Sequence, residues 1–228
     1  MIQKKEVKIC CTWKSKTECT NCTLVEVLNC RYDKRKWLFF VLNQIPARIF
    51  AFFGLVVTGL LYQWWPLIAF TVFAILYQIF GIEMRVVCTH CPYYSSENKR
   101  LRCYGLSGSF KIWKYRPGPM NFWEKAVEAL HFFIMLLWPI SFEVYNLVLV
   151  AVDYSSFDLY ALLGMIAILL ATILTGLQSV YVLIHDYCSK CANFSCSLNR
   201  VPKNIRDAYL VKNPIMREAW EKDGYKLN

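Results

Sequence analysis

The stretch that decides the fold class is Leu159 to Ile184, LYALLGMIAILLATILTGLQSVYVLI, which contains no charged residue in 26 positions. A helix needs about 20 predominantly apolar residues to cross the hydrocarbon core of a bilayer. This stretch therefore predicts a membrane-spanning helix. Three more apolar runs lie upstream, at Trp37 to Tyr62, at Leu67 to Ile82, and from Asn121 to about Val152.

The composition of the chain agrees with a membrane protein. Hydrophobic residues make up 57% of it and charged residues 18%, against about 45–50% and about 25% in soluble domains. Because the excess is concentrated in the four apolar runs, the sequence predicts an all-α integral membrane protein. The expected architecture is a four-transmembrane-helix bundle made of two hairpins.

The ends of the helices carry local signals. Pro46 favours a first helical position, so we expect an interfacial helix over Asp33 to Gln44 and a spanning helix from near Pro46. Residues 62–66, YQWWP, predict a turn at the membrane interface. Asn121 and Glu124 form a capping-box pattern at the start of the third run. In the tail, a helix is predicted over Ile215 to Asp223, followed by Gly224.

The basic residues give the orientation. Lys and Arg number nine in residues 1–36, eight in 83–125 and eight in 186–228, whereas connections 62–66 and 143–158 hold none. Cytoplasmic loops carry this excess, so both termini are expected in the cytoplasm. The net charge of +10 then reflects topology and attraction to anionic membrane lipid. No recognition motif accompanies it, so no nucleic-acid partner is predicted.

These features divide the chain into five segments. We expect a Cys-rich cytosolic segment, an interfacial helix with the first transmembrane hairpin, a basic Cys-containing cytosolic loop, a second transmembrane hairpin, and a Cys-containing cytosolic tail with a short helix. In that order, they cover residues 1–36, 37–82, 83–121, 122–186 and 187–228.

Eleven cysteines lie outside the apolar runs, in three groups that share the predicted cytoplasmic side. Structural disulfides are disfavoured in that reducing compartment, and C-x-x-C pairs there indicate metal binding or redox chemistry. Two pairs, Cys88/Cys91 and Cys188/Cys191, directly follow apolar runs. Neighbouring helix ends are roughly 10 Å apart, so these four thiols are predicted to bind one metal. Cys103 and Cys196 are alternates.

The N-terminal group predicts a second metal site. Cys11, Cys19, Cys22 and Cys30 lie within 20 residues of one another, and Cys10 is an alternate. Thiolates suit zinc and iron–sulfur clusters, and the scarcity of histidine favours an iron–sulfur cluster over zinc. For these small segments, a zinc ion that only staples the chain is an equally good interpretation.

Histidines at membrane depth are functional candidates by default. His131 and His185 lie towards the cytoplasmic ends of the last two apolar runs. We consider a b-type haem or a quinone at these two residues. The alternative is that each histidine only forms a hydrogen bond with a neighbouring helix or a lipid headgroup.

The predicted outline resembles that of DHHC-type palmitoyltransferases, which have four spans, cytosolic termini and a Cys-rich loop between the second and third spans. This chain lacks their Asp-His-His-Cys signature, because the loop reads Cys88-Thr-His-Cys91. The resemblance is therefore one of topology and implies no catalytic residue. Four-span disulfide-forming quinone reductases are similar in span number, but their reactive cysteines face the oxidising side.

Three functions follow from these expectations. The first is an iron–sulfur electron-transfer subunit that works with protein partners in a larger membrane redox complex. The second is a zinc-stapled membrane scaffold or assembly factor. The third is a membrane thiol enzyme that uses one C-x-x-C pair and has a low thiolate pKa.

Overall fold

The computed structural model describes residues 11–13, 22–79, 81–152 and 159–227, and these are helical or irregular apart from one isolated antiparallel bridge between Arg100 and Phe110. Cys10 and Cys19 lie outside the described residues. The α-helices are α1 Leu24–Val27, α2 Lys34–Leu61, α3 Trp65–Ala74, α4 Ile82–Val86, α5 Phe122–Val152, α6 Leu159–Val182, α7 Lys203–Val211 and α8 Pro214–Lys222.

Three helices are long and apolar enough to cross a membrane, namely Lys34–Leu61, Phe122–Val152 and Leu159–Lys190. A bent pair, Trp65–Gln78 with Ile82–His90, makes a fourth span if it is counted as one. Most residues of the three long helices are not buried within the chain, which is the arrangement that lipid contact requires. The all-helical, membrane-type architecture agrees with the prediction.

The second predicted span is not a continuous α-helix. After α3, residues Ile75–Ile79 form a π turn, and Gly81 has a φ of 78° before α4 begins. A positive φ is inexpensive for glycine alone, so Gly81 is the point at which the chain changes direction. The preceding turn at residues 62–66 agrees with expectation, since α2 ends at Leu61 and α3 begins at Trp65.

The prediction that a new helix begins near Pro46 is wrong. α2 runs without interruption from Lys34 to Leu61 and contains Pro46. Proline removes one backbone hydrogen bond, but a full break would leave several polar groups without partners in an apolar environment. The continuous helix therefore costs less, and the segments predicted as interfacial and spanning belong to one helix.

The capping box at the start of α5 is confirmed. The Glu124 backbone N–H donates to Asn121 Oδ1 at 2.9 Å, and the Asn121 N–H donates to Glu124 Oε2 at 3.0 Å. The tail helix is confirmed as α8, with Pro214 at its first position and Gly224 just past its end at a φ of 87°. α7 precedes it and was not predicted, although Ile205, Ala208 and Tyr209 have the spacing of one helix face.

We expect Asn121→Ala to lower the stability of the start of α5 by about 1 kcal/mol, the usual cost of losing an N-cap side chain. The exposed loop variant Asn98→Ala is the matched control, since Asn98 lies outside any helix. Thermal unfolding of both purified variants measures the difference. Equal midpoints would contradict a capping role for Asn121.

The chain forms two compact units. The cysteine unit comprises residues 1–37, 83–126 and 184–228, and the helical unit comprises 38–82 and 127–183. The cysteine unit has its own hydrophobic core, in which Leu24 and Leu28 pack with Phe194, Tyr209 and Trp220. Its three sequence-distant segments are therefore one folded body and not separate loops.

Candidate metal-binding site

The two C-x-x-C pairs of the cysteine unit have the same backbone conformation. Cys88–His90 and Cys188–Lys190 are both 3₁₀ turns. Each turn follows a residue with nearly identical dihedral angles, Val87 at φ −105°, ψ −53° and Tyr187 at φ −111°, ψ −54°. The second cysteines are also alike, because Cys91 and Cys191 are extended at ψ 135° and 128°. The pairs are thus two copies of one structural module.

Cysteines from both modules lie in one neighbourhood. Cys91, Cys103 and Cys196 are all within electrostatic range of Cys88. Cys191 is within range of Cys103, and Tyr93 is within range of both Cys91 and Cys191. Cysteines of the central loop and of the tail therefore lie near one another, and the alternates Cys103 and Cys196 belong to the same neighbourhood.

Two of these sulfurs accept backbone hydrogen bonds. The Leu106 N–H donates to Cys103 Sγ at 3.2 Å, and the Asn193 N–H donates to Cys191 Sγ at 3.4 Å. Donors of this kind favour the anionic form of an acceptor, and outer-shell partners tune metal ligands in the same way. The local backbone at both residues is therefore suited to a thiolate.

Burial acts against the thiolate when no cation is present. It raises the pKa of the Cys103 thiol to about 12, although the N–H groups of Leu106 and Gly105 oppose the shift. A metal ion would have to displace this proton on binding. Cys103 is consequently a protonated thiol at neutral pH and not an activated nucleophile.

The sulfurs do not converge on one point. Within the described ranges, no three His, Cys, Asp or Glu side chains are arranged to hold a metal ion. The donor chemistry of the neighbourhood suits a thiolate-bound metal, but the geometry would have to tighten around it. The one imidazole in the first module, that of His90, has other contacts, so sulfur is the natural donor.

His90, inside the first module, is held by other groups. Its Nδ1 lies 2.6 Å from the Gly118 carbonyl oxygen, and its Nε2 lies 3.2 Å from Glu124 Oε2. Glu124 also pairs with Arg116 at 2.5 Å and with Arg85 at 3.6 Å. This ionic cluster ties the start of α5 to the first module, and His90 joins it through Nε2, while its Nδ1 contacts the Gly118 carbonyl oxygen.

Tyrosines next to the cysteines were missed in the sequence analysis. The hydroxyl groups of Tyr93, Tyr104 and Tyr187 donate to the backbone carbonyls of Asn29, Arg31 and Lys36 at 2.5, 3.0 and 2.6 Å. The Tyr104 ring also contacts the rings of Tyr93 and Tyr187, at centroid distances of 6.1 and 5.4 Å. The available signal was the recurrence of tyrosine within two residues of a cysteine.

The N-terminal cysteines are part of the same body. Cys11, Cys22 and Cys30 pack against the core of the cysteine unit, and the Cys11 N–H donates to Asn213 Oδ1 at 2.6 Å. Since Cys19 lies outside the described residues, the predicted four-cysteine site stays a prediction. Its three described members are anchored by the tail and do not form a separate lobe.

The two histidine candidates lie in different units. In the helical unit, the ring of His131 stacks on that of Tyr77 at 3.6 Å with an interplanar angle of 6°, and Phe73 lies 5.9 Å away. His185 belongs to the cysteine unit and lies in the π turn Leu183–Tyr187, where its carbonyl accepts a hydrogen bond from Ser189. The haem or quinone assignment stays a prediction.

No protein-family model, curated protein or solved structure matches the chain. Its function is therefore inferred from its own thiols, tyrosines and backbone donors.

Proposed function

We propose that the chain is a membrane metal–thiolate protein whose two C-x-x-C modules bind one metal centre. The observation that carries this proposal is the duplicated backbone turn at Cys88 and Cys188. Tetrahedral thiolate sites are commonly built from two C-x-x-C pairs. Cys103 and Cys196 supply further sulfur in the same neighbourhood.

The proposed centre is an iron–sulfur cluster, which would make the chain an electron-transfer subunit that works with protein partners in a membrane redox complex. The donor set supports this choice, since the one nearby histidine, His90, is engaged with Gly118 and Glu124. An all-sulfur donor set suits an iron–sulfur cluster or zinc. The residues of this chain would supply thiolates and the backbone N–H groups that stabilise them.

The proposed topology has four spans and places the cysteine unit in the cytoplasm. The distribution of basic residues supports it, because 25 of the 26 Lys and Arg lie in the segments 1–36, 83–125 and 186–228. Both termini would then share one compartment. In that compartment, reduced thiols are available for a metal.

A zinc-stapled scaffold is the second candidate, and the shared core favours it. Segments from all three cytosolic parts of the chain pack together, and Tyr93, Tyr104 and Tyr187 donate to residues 29–36. A structural zinc ion contributes directly to the folding free energy of such a body. For the thiol-enzyme alternative, burial raises the pKa of the Cys88 thiol, the first cysteine of a C-x-x-C pair, which argues against that residue as an activated nucleophile.

Anaerobic purification of the full chain from membranes, followed by analysis of iron, acid-labile sulfide and zinc, tests the proposal. We expect iron and sulfide in equal amounts, with a visible charge-transfer absorption that bleaches on reduction. Stoichiometric zinc without sulfide would exclude electron transfer and support the scaffold. Chain without any bound metal would exclude both.

A further inference from the structure

A buried polar cluster occupies the helical unit, apart from all cysteines. Glu143 and Asn146 lie on α5, Thr58 on α2 and Thr172 on α6, and all four are buried. Glu143 is 1% exposed and Asn146 is fully buried. Polar residues are expensive inside an apolar bundle, and those that occur there are functional candidates by default.

Hydrogen bonds connect the three helices through this cluster. The Thr172 hydroxyl donates to Glu143 Oε1 at 2.9 Å, and Asn146 Nδ2 donates to Thr58 Oγ1 at 2.6 Å. Thr58 in turn donates to the Gly54 carbonyl oxygen at 3.0 Å. Each of these bonds uses a donor hydrogen, so the hydroxyl hydrogens of both threonines are already committed.

The backbone of α2 makes room for the carboxyl group. A Cβ atom at Gly54 would lie 1.9 Å from Glu143 Oε1 and 2.7 Å from its Cγ. Glu143 therefore occupies the space that any other residue at position 54 would fill. The site is thus formed by a glycine on α2 and a carboxyl group on α5.

Two acceptor oxygens in the cluster lack a donor. Within the part of the chain that the structure describes, neither Glu143 Oε2 nor Asn146 Oδ1 has a hydrogen-bond partner, and both are buried. Glu143 and Asn146 are three residues apart, so they lie on the same face of α5. A buried polar atom without a partner is costly, and each of these two oxygens requires a hydrogen-bond donor.

No described charged group stabilises a carboxylate at this position. Among the described residues, the Thr172 hydroxyl is the one group that donates a hydrogen bond to Glu143, and no described ion pair includes this carboxyl group. The titratable groups on the helices and turn of the helical unit are Arg48, Tyr62, Tyr77, Glu128, His131, Tyr145, Tyr160 and Tyr181. Tyr145, two residues from Glu143 on α5, contacts Tyr62 at a ring-centroid distance of 5.4 Å.

We propose that Glu143, Asn146, Thr58 and Thr172 form a proton-binding site within the membrane part of the protein, in which Glu143 holds an exchangeable proton. One proton on Oε2 removes the buried charge and supplies a donor for Asn146 Oδ1. Both unsatisfied atoms are thereby accounted for by a single hydrogen. A buried exchangeable proton is the element that proton-coupled membrane chemistry requires, and this site does not depend on the proposed metal centre.

Infrared difference spectroscopy of the full chain in lipid nanodiscs tests the site. We expect a protonated carboxyl C=O band at neutral pH that bleaches reversibly as the pH is raised and that is absent from Glu143→Gln. Glu128→Gln, which removes the other buried carboxyl group of α5, is the matched control and should keep this band. Absence of a pH-dependent acid band, or its persistence in Glu143→Gln, would overturn the proposal.

A second variant keeps the test decisive if Glu143→Gln does not accumulate. Thr172→Val removes the donor to Oε1, so the acid band should persist and move to higher frequency. A band that does not move would mean that the acid observed is not Glu143. Exchanging sodium for choline at constant ionic strength should leave the band unchanged. Loss of the band on adding sodium would mean that the site binds a sodium ion, which would overturn the proposal.

Discussion

Replacing Cys191 by serine is expected to abolish binding of about one metal centre per chain, and Cys91→Ser is expected to have the same effect. Both residues are the extended second cysteines of the duplicated modules, and both lie within electrostatic range of the same residue, Tyr93. Serine preserves the shape of the side chain but replaces the thiolate ligand by a hydroxyl group. Metal analysis of the purified variants measures the loss.

The double variant distinguishes one shared centre from two separate ones. If Cys91 and Cys191 bind the same metal, Cys91→Ser/Cys191→Ser loses no more metal than either single variant. If each module binds its own metal, the losses add. Additive loss would contradict the shared centre, and unchanged metal content in either single variant would remove that cysteine from the site.

Cys22→Ser is the matched control for this pair of variants. Cys22 packs against the core of the same unit, and it belongs to the N-terminal group, which is predicted to bind separately. We expect the metal that depends on Cys91 and Cys191 to remain in Cys22→Ser. The retained metal should also dissociate on acidification, because the thiolates that hold it must be protonated before it leaves.

The sequence predicted those parts of the fold that depend on short-range chemistry. The exchange of hydrogen bonds between Asn121 and Glu124 follows from residue identity alone. Pro46 failed as a signal because the local preference of proline for a helix start is weaker than the requirement for a continuous helix in an apolar environment. The π turn Ile75–Ile79 has no sequence period that would distinguish it from the α-helix before it.

The site was predictable as a set of residues but not as an arrangement. The sequence predicted that the two C-x-x-C pairs meet because each follows an apolar run, but it did not predict that their turns share one backbone conformation. The contacts of His90 with Gly118 and Glu124 depend on tertiary packing, so they could not be predicted from the sequence. The cluster around Glu143 was missed for the same reason, since its partner Thr172 is 29 residues away.

Substituting Gly54 by alanine is expected to destabilise the helical unit by about 1–3 kcal/mol, the usual cost of overpacking a well-packed interior. The new methyl group would overlap Glu143 Oε1 and approach its Cγ at 2.7 Å. Because Cγ is near the base of the side chain, rotating the carboxyl end is not sufficient relief. Glu143 must move as a whole and give up its hydrogen bond with Thr172.

Gly164→Ala is the matched control, because it is also a glycine within a spanning helix but a Cβ there meets nothing within 4 Å. Alanine is about 1 kcal/mol more favourable than glycine in a helix interior, so this variant should be neutral or slightly stabilised. Thermal unfolding in the same lipid environment compares the two. Equal unfolding midpoints would mean that Glu143 moves aside without a loss of stability. Opposite shifts would identify the overlap at Gly54 as the cause, since helix propensity favours alanine at both positions.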